Sequence, residues 1–208
     1  MKLATARDRL VDSLVANEIV TKPSTEAALR AVPRHEFVGD DYREQAYQDR
    51  PLPIGNDQTI SAPHIVGQML DLIDVAAGDR VLEIGTGCGY HAAVTAELVG
   101  AENVYSVEYH EELAERARET LAATGYDDVS VRAGDGKQGW AEHAPYDRAY
   151  LTCAAPELPE AVVEQVRPGG LLLAPVGSGS QRLVRARRRA DGSLDRETHG
   201  RVRFVPLQ

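Results

Sequence analysis

The sequence predicts an α/β fold whose core is a doubly wound, mostly parallel sheet of seven strands, preceded by an N-terminal helical segment. Short apolar runs alternate with helix-length runs from residue 63 onward. A glycine-rich turn follows the first apolar run, and acidic residues end the first two. Strands separated by helices form parallel sheets, and ligands bind at the carboxyl edge of such sheets. A ligand site is therefore expected at that edge.

The N-terminal part is expected to begin with two helices. Residues 5–17 place apolar side chains at helical spacing. Residues 24–32 form a second, shorter helix, and Pro33 ends it. Both helices precede the alternating part of the chain.

Residues 33–60 show no regular period and are interrupted by prolines and a glycine. Loops of this length in compact domains are often functional, and the aromatic content here favours an ordered loop. We assign residues 1–62 to helices and a substrate loop. Residues 63–208 form the cofactor-binding core, and both parts belong to one domain.

The core alternates strands with helices. The predicted strands are 80–84, 104–107, 129–132, 146–152 and 170–175. The predicted helices are 64–73, 90–99, 110–124 and 158–166. Residues 181–189 and 201–207 are expected to pair antiparallel around Asp191-Gly192.

The composition excludes several classes of function. The chain has 208 residues, of which 43% are hydrophobic, as expected for a globular protein. It has no run of about 18 apolar residues and no visible signal peptide, so we expect no membrane span and a cytoplasmic location. The net charge of −9 argues against nucleic acid as a partner. The two cysteines, Cys88 and Cys153, have no metal-type spacing, and we expect no metal.

The glycine turn is the strongest local signal. Gly85, Gly87 and Gly89 follow the predicted strand VLEI, where glycine permits a tight turn and close approach of a ligand. An ordinary tight turn is the alternative. Glu83 near the end of this strand and Glu108 after the next one favour a ligand site, since an acid at the second position commonly binds ribose hydroxyls.

These acids also indicate which cofactor binds. Dinucleotide sites usually carry GxGxxG, with a pyrophosphate at the helix N-terminus. Here the turn is GxGxG, and a carboxylate at Glu83 would repel pyrophosphate but suit an ammonium and a sulfonium. S-adenosylmethionine, with S-adenosylhomocysteine as product, is therefore predicted, and with it a Rossmann-like class I methyltransferase fold. Asp135 either binds the adenine amino group or caps a turn.

Longer stretches resemble one family. They are AYQDRPLPIGNDQTISAPH, VLEIGTGCGYHAA, VYSVE, GDGKQGW, APYDRAYLTCAAPELP, RPGGLLLAPVG and VRFVPL. From about Leu10 to Leu207 the chain resembles the protein-L-isoaspartate O-methyltransferases, and the QTISAPH run is the most specific part. The resemblance implies methyl transfer from S-adenosylmethionine to the α-carboxylate of L-isoaspartyl residues in damaged proteins. The ester then collapses to a succinimide, which can reopen to aspartate.

The resemblance also assigns roles. Ser61 is implied to hold the acceptor carboxylate, although it could be only an N-cap with Pro63 in the first helical position. The other substrate-side residues implied are Gln58, Thr59, His64 and Val205, with His64 supporting the loop or facing the cofactor. The implied cofactor-binding residues are Glu83, Gly85, Thr86, Gly87, Glu108, Tyr109, Asp135 and Gly136.

Two positions depart from the family pattern. Asp57 stands where a glycine usually precedes the glutamine, and its carboxylate should weaken anion binding unless it points outward or pairs with an arginine or with cations of a salty cytosol. Cys88 often corresponds to serine and is expected to be an inert filler.

The expected partners are isoaspartyl-containing proteins and peptides, bound by a monomer. The basic run at residues 185–190 is interpreted as a solvated edge strand. Two alternatives remain: a methyltransferase of the same fold with another acceptor, and a non-catalytic adaptor that binds isoaspartyl or C-terminal peptides.

Overall fold

The alternating part of the chain folds into the predicted α/β architecture. The structure is a computed structural model and describes residues 3–208. Its α-helices within that range are α1 (Leu3–Ala16), α2 (Pro23–Ala31), α3 (Pro63–Ile73), α4 (Tyr90–Val99), α5 (Glu111–Ala123) and α6 (Glu160–Gln165). Its strands there are β1 (Leu52–Gly55), β2 (Gln58–Ile60), β3 (Val81–Ile84), β4 (Val104–Glu108), β5 (Ser130–Ala133), β6 (Tyr146–Leu151), β7 (Val166–Val176), β8 (Gln181–Arg188) and β9 (Leu194–Val202).

The main sheet has seven strands in the order β5-β4-β3-β6-β7-β8-β9. Strands β5, β4, β3, β6 and β7 run parallel, and β8 and β9 join them antiparallel. The predicted doubly wound, mostly parallel sheet is therefore confirmed. Because β3 is central and parallel to both of its neighbours, the carboxyl ends of β3, β4 and β6 meet at one edge.

Apolar side chains pack on both faces of this sheet. One cluster joins α1 and α2 to α3, α4 and α5, so the N-terminal helices share a core with the sheet. The other cluster lies on the opposite face, where α6 packs. Residues 1 and 2 of the predicted 1–62 segment lie outside the described residues. In the range 3–208, no helix combines the length and apolar composition needed to cross a membrane.

We expected the loop at 33–60 to lack regular structure, but part of it forms strands. Strands β1 and β2 form an antiparallel hairpin within it, with Gly55 opposite Gln58. The turn residues Asn56 and Asp57 have φ values of 51° and 56°. A two-residue hairpin with both φ values positive is a type I′ turn, which Asn and Asp tolerate better than most residues. The strand pattern was hidden because each strand is only three or four residues long.

The last strand was also predicted in the wrong place. Strand β9 pairs with β8 directly after the turn at Asp191-Gly192, so it ends at Val202 rather than at Leu207. The following residues leave the ladder. The Leu207 N–H donates to the Ala154 carbonyl at 2.8 Å, which places the C-terminal segment across the carboxyl ends of the strands.

Candidate active site

A cavity lies at the carboxyl edge of the sheet, where the predicted site was expected. It contains about 740 Å³ of space not filled by atoms, its open mouth included. The glycine turn and the ends of β3 and β4 form its floor, while the β1–β2 hairpin and the C-terminal segment form its walls. We call it the central cavity.

The glycine turn adopts a conformation that requires glycine. Gly85, Gly87 and Gly89 have φ values of 99°, 57° and 88°, where side chains are strained. A Cβ atom at Gly87 would also lie 3.1 Å from Ile54 Cδ1 of the hairpin, and so would narrow the cavity. Gly85 and Gly87 line the cavity, as does Thr86 between them.

Glu108 ends β4 and lines the central cavity beside this turn. Its Oε2 accepts a hydrogen bond from the Gly87 N–H at 2.8 Å, and its Oε1 accepts one from the His110 N–H at 3.0 Å. A carboxylate has about four lone-pair sites, so two remain for a ligand donor. The arrangement suits recognition of a sugar hydroxyl.

Glu83 is not where the sequence placed it. We expected its carboxylate to face a cationic ligand, but the side chain is fully buried and does not line the central cavity. Its carboxyl group accepts from the Ser106 hydroxyl at 2.5 Å and from the Tyr150 hydroxyl at 3.1 Å. Burial raises the pKa of Glu83 to about 8, so the group is mostly protonated at neutral pH. In a strand buried on both faces, this side chain points into the core.

The Glu83 cluster nevertheless supports the turn. The Ser106 hydroxyl lies 2.6 Å from the Thr86 hydroxyl, which ties the glycine turn to β3 and β4. This support acts through packing and hydrogen bonding, without a charge facing the ligand.

His91 is a cavity residue that sequence reasoning missed. It follows Tyr90 at the start of α4 and stacks on Tyr150, with ring centroids 4.5 Å apart. Burial lowers the pKa of His91 to about 3, so the ring is neutral at pH 7. The only available signal was a polar residue in the first turn of the helix after the glycine turn.

Asp135 caps a turn, which is the alternative to adenine binding given above. Its side chain accepts from the Lys137 N–H at 2.9 Å and caps the short 3₁₀ helix Gly136–Gln138. It is exposed and does not line the central cavity, so this conformation favours the capping role, and the adenine contact stays a prediction. Gly136 and Tyr109 do line the cavity, and Tyr109 is 56% exposed at its rim.

Ser61 lies where the central cavity meets a second depression, the peripheral groove. This groove runs between residues 59–65 and the C-terminal segment 201–206, and it also includes Pro51 and Thr152. Both spaces are lined by Thr59, Ser61, Thr152, Val205 and Pro206. The alternative in which Ser61 caps α3 is wrong, since Ala62 is the N-cap residue. No hydrogen bond is recorded for the Ser61 hydroxyl within residues 3–208.

We call the place where the central cavity meets the peripheral groove the junction. The other predicted substrate-side residues lie on both sides of it. Gln58 lines the central cavity, and its amide donates to the Asn56 carbonyl at 3.1 Å. His64 lines only the peripheral groove. Its backbone N–H donates to Asp49 Oδ1 at 2.9 Å, and its Nδ1 lies 2.9 Å from the same oxygen. His64 therefore supports the loop and does not reach the central cavity.

Val205 lines both spaces. Its carbonyl accepts from the Ala154 N–H at 2.8 Å, so this half of its backbone is already bonded. No partner for its N–H is recorded among residues 3–208. One backbone group of Val205 is therefore available to a ligand.

Arg34 is the second residue that sequence reasoning missed. Its side chain is fully buried, and its guanidinium donates to the carbonyls of Ala46, Arg50 and Ser61. One buried cation thus binds the main chain at three places in the segment that leads to Ser61. A basic residue just after Pro33 gives no sequence signal that distinguishes it from a surface arginine.

The two departures from the family pattern have simple structural explanations. Asp57 is exposed at the hairpin tip and lines neither the central cavity nor the peripheral groove. Cys88 lines the central cavity, and burial raises the pKa of its thiol to about 11. Neither Cys88 nor Cys153 forms a disulfide. A thiol that stays protonated is a poor nucleophile, consistent with an inert filler.

Comparisons with known proteins agree with this geometry. The family model of protein-L-isoaspartate(D-aspartate) O-methyltransferase (PCMT) matches residues 5–208. Protein-L-isoaspartate O-methyltransferase 2 of Archaeoglobus fulgidus is 50% identical over 203 residues, which is 97% of this chain and 92% of that protein. The Methanopyrus kandleri protein-L-isoaspartate O-methyltransferase is 48% identical over 205 residues, or 97% and 91% of the two chains.

Solved structures share the fold. A protein-L-isoaspartate O-methyltransferase superposes with a TM-score of 0.89 and 28% identity over 97% of this chain, which spans 66% of that longer chain. A Plasmodium falciparum protein described as a beta-aspartate methyltransferase (PCMT), in complex with S-adenosyl-L-homocysteine, superposes with a TM-score of 0.86. It shares 23% identity over 97% and 98% of the two chains. Because the family model spans nearly the whole chain, this protein belongs to the protein-L-isoaspartate(D-aspartate) O-methyltransferase family.

Proposed function

We propose that this chain transfers the methyl group of S-adenosylmethionine to the α-carboxylate of L-isoaspartyl residues in damaged proteins, and that Ser61 positions the acceptor. The observation that carries the proposal is the place of Ser61. Its half-buried hydroxyl has no intramolecular partner within residues 3–208 and lies where the central cavity meets the peripheral groove. A cofactor in the cavity and a peptide in the groove would meet there.

The residues around the central cavity fit S-adenosylmethionine. The glycine turn leaves space that a Cβ atom would narrow, and Glu108 keeps two acceptor sites beside it. Gly85, Thr86, Gly87 and Gly136 would contact the cofactor, with Glu108 on the ribose hydroxyls and Tyr109 at the rim. When bound, the cofactor supplies an electrophilic methyl group and leaves as neutral S-adenosylhomocysteine.

The acceptor needs no general base. A carboxylate has a pKa near 4, so it is already anionic at neutral pH. An oxygen–carbon bond forms, the carbon–sulfur bond breaks with its electron pair going to sulfur, and no proton moves. The work left to the protein is to hold acceptor oxygen, methyl carbon and sulfur in line.

The junction residues match that task. The Ser61 hydroxyl can donate one hydrogen bond to the acceptor carboxylate, and Thr59 offers a second hydroxyl beside it. Neutral donors orient an anion without forming the strong ion pair that an arginine would make. The Arg34 guanidinium donates a hydrogen bond to the Ser61 carbonyl, which fixes the main chain that carries the Ser61 hydroxyl.

The decisive experiment measures labelled methyl transfer to a short peptide containing L-isoaspartate, beside the same peptide with normal aspartate. We expect base-labile methyl ester on the isoaspartyl peptide only. Absence of this label at both low and high salt would refute the proposed activity. Methylation of both peptides alike would point to a broader carboxyl methyltransferase.

The role of Ser61 is tested by Ser61→Ala. We expect kcat to fall by roughly tenfold to a hundredfold, the value of a hydrogen bond to a charged group, with the S-adenosylhomocysteine Kd nearly unchanged. Ser13→Ala on the exposed surface of α1 is the matched control and should change neither. An equal loss of turnover and cofactor affinity would place Ser61 in the cofactor site instead.

The expected monomeric state, cytoplasmic location and lack of nucleic acid binding stay predictions. Light scattering of the purified chain and a binding assay with duplex DNA would test two of them directly.

A further inference from the structure

The peripheral groove has an unusual charge for this protein. It contains about 1460 Å³ of unfilled space, open solvent included, and its lining residues include Arg201 and Arg203 but no aspartate or glutamate. Asp49, which contacts His64 of the groove, is not among the lining residues. The chain as a whole carries 32 acidic and 23 basic residues. The groove that reaches Ser61 is therefore a basic exception on an acidic protein.

The two arginines of this groove make no side-chain contact that would stabilise the fold through an ion pair or a hydrogen bond within residues 3–208. Arg201 and Arg203 are exposed, and within residues 3–208 no ion pair or hydrogen bond is recorded for either side chain. Other arginines of the β8–β9 hairpin do have acidic partners, as Arg185 has in Glu197 and Arg189 in Asp195. Both cations of the groove are therefore left without an acidic partner, whereas Arg185 and Arg189 of the same hairpin have one.

A third arginine strengthens the positive field. Arg182 of β8 is exposed and directly opposite Arg201 of β9 in the strand register. Like charges facing each other across an antiparallel pair destabilise it. This repulsion is relieved when an anion lies nearby, and the groove beside Arg201 is the place where a ligand could supply one.

The backbone of the groove suits an extended peptide. Strand β9 is the outermost strand of the main sheet, and the segment that follows it forms one wall of the groove. Extended peptides commonly bind along such edges through main-chain hydrogen bonds, and side-chain pockets then give specificity. Arg201 lies near the end of β9 and Arg203 just after it, and both side chains belong to residues that line the groove.

We propose that Arg201 and Arg203 make the enzyme selective for isoaspartyl sites flanked by aspartate or glutamate. This inference rests on the proposed function, since it names the sequence context of that reaction's substrate. The flanking carboxylates would pair with the two arginines while the isoaspartyl α-carboxylate lies at Ser61. The selectivity acts on peptide binding, so it is expected in KM and not in kcat.

The effect should be moderate because the arginines are exposed. Exposed ion pairs are worth about 0.2–1 kcal/mol, which corresponds to roughly a 1.4-fold to fivefold change in affinity for each arginine. Screening at high ionic strength should reduce it further. We expect a Glu-flanked peptide to show a kcat/KM about fivefold above that of its Gln-flanked counterpart at low salt, falling toward onefold at 1 M salt.

The experiment compares three peptides that share one L-isoaspartyl core and carry Glu, Gln or Lys on both sides of it. The full-length wild-type chain should rank them Glu, then Gln, then Lys. Failure to methylate the Gln-flanked peptide would count against the proposed function itself. Methylation of all three with the same kcat/KM at low salt would overturn the selectivity alone.

Variants test whether the preference for Glu-flanked peptides comes from the arginines of the groove. In Arg201→Gln/Arg203→Gln, the ratio of kcat/KM for the Glu-flanked over the Gln-flanked peptide should fall to about one. In Arg201→Glu/Arg203→Glu, the Lys-flanked peptide should become the best substrate. Arg196→Gln is the matched control: Arg196 is exposed on the same strand but does not line the groove, and the ratio should stay at its wild-type value. An equal fall in Arg196→Gln would mean that net charge, and not the groove, sets the preference.

Discussion

The guanidinium of Arg34 donates a hydrogen bond to the carbonyl oxygen of Ser61 at 3.1 Å, from a side chain that is fully buried. The same guanidinium donates to the Ala46 and Arg50 carbonyls. The loop proposed to carry the acceptor side of the site is thus held by one buried cation, while the Ser61 hydroxyl is left without an intramolecular partner among residues 3–208. In the proposed function, the Ser61 backbone is held by Arg34 and its side chain would contact the substrate.

Replacing Arg34 should therefore affect both stability and substrate binding. Arg34→Met leaves buried carbonyls without donors, each costing about 1–3 kcal/mol, and we expect the free energy of unfolding to fall by about 3 kcal/mol or more. Urea denaturation measures this. Arg30→Gln, which removes partly exposed ion pairs to Asp12 of α1 and Glu26 of α2, is the control and should cost about 1 kcal/mol at most.

Arg34→Lys tests the effect on the loop if Arg34→Met does not fold. A lysine keeps the charge but cannot reach three carbonyls in fixed directions. We expect the peptide KM to rise severalfold while the S-adenosylhomocysteine Kd changes little. A larger change in the cofactor Kd than in the peptide KM would contradict the inference that Arg34 supports the substrate loop and not the cofactor site.

Glu83 should make stability depend on pH. Its pKa is raised by burial from 4.5 to about 8. The stabilising effect of the protonated group is fully present below about pH 4.5 and is lost as pH rises through about 8, because the unfolded state ionises more readily. In Glu83→Gln this loss is absent, so wild type should lose stability relative to the variant between pH 5 and pH 8. Urea denaturation across this range tests it.

The matched control for Glu83 is Glu111→Gln, at an exposed position in the first turn of α5. It should show no comparable change with pH. If the stability difference between wild type and Glu83→Gln were constant from pH 5 to pH 8, the buried carboxyl group would not be titrating.

Asp57 should have little influence on substrate binding. It is exposed at the hairpin tip and lines neither the central cavity nor the peripheral groove. Asp57→Asn keeps a residue that tolerates the φ of 56° while removing the charge, and the peptide KM should stay within about twofold of wild type. Asp57→Val should destabilise the protein by about 1–2 kcal/mol, because a β-branched residue is strained at this φ. A severalfold lower KM in Asp57→Asn would show that the charge does oppose the substrate.

Glu108 should control cofactor affinity. Its carboxylate orders the Gly87 and His110 N–H groups and keeps lone pairs free at the cavity. Glu108→Gln weakens charge-assisted hydrogen bonds worth about 1.5–3 kcal/mol, so the S-adenosylhomocysteine Kd should rise roughly tenfold to a hundredfold. Calorimetry measures this Kd, with Glu111→Gln again as the surface control. An unchanged Kd would remove Glu108 from the cofactor site.

Local patterns were enough for the parts of the protein whose conformation is set by neighbouring residues. The glycine turn, the acid at the end of β4 and the alternation of strands and helices are all local, and the structure has each of them as predicted. The hairpin in the loop was missed because its strands are too short to show a period, although Asn56 and Asp57 carried a turn signal. The position of β9 was missed because pairing begins directly at the turn.

The sequence by itself determined the family, the parallel part of the sheet and most of the residues that meet at its carboxyl edge. Only the tertiary structure decided what each of these residues faces. Glu83 turns into the core and is mostly neutral at pH 7, Asp135 turns back to cap a helix, and Arg34 reaches Ser61 across 27 positions of the chain. The reason is physical: the direction of a side chain and the solvation of its charge depend on packing partners that are distant in the sequence. A local pattern names the residues but does not contain those partners.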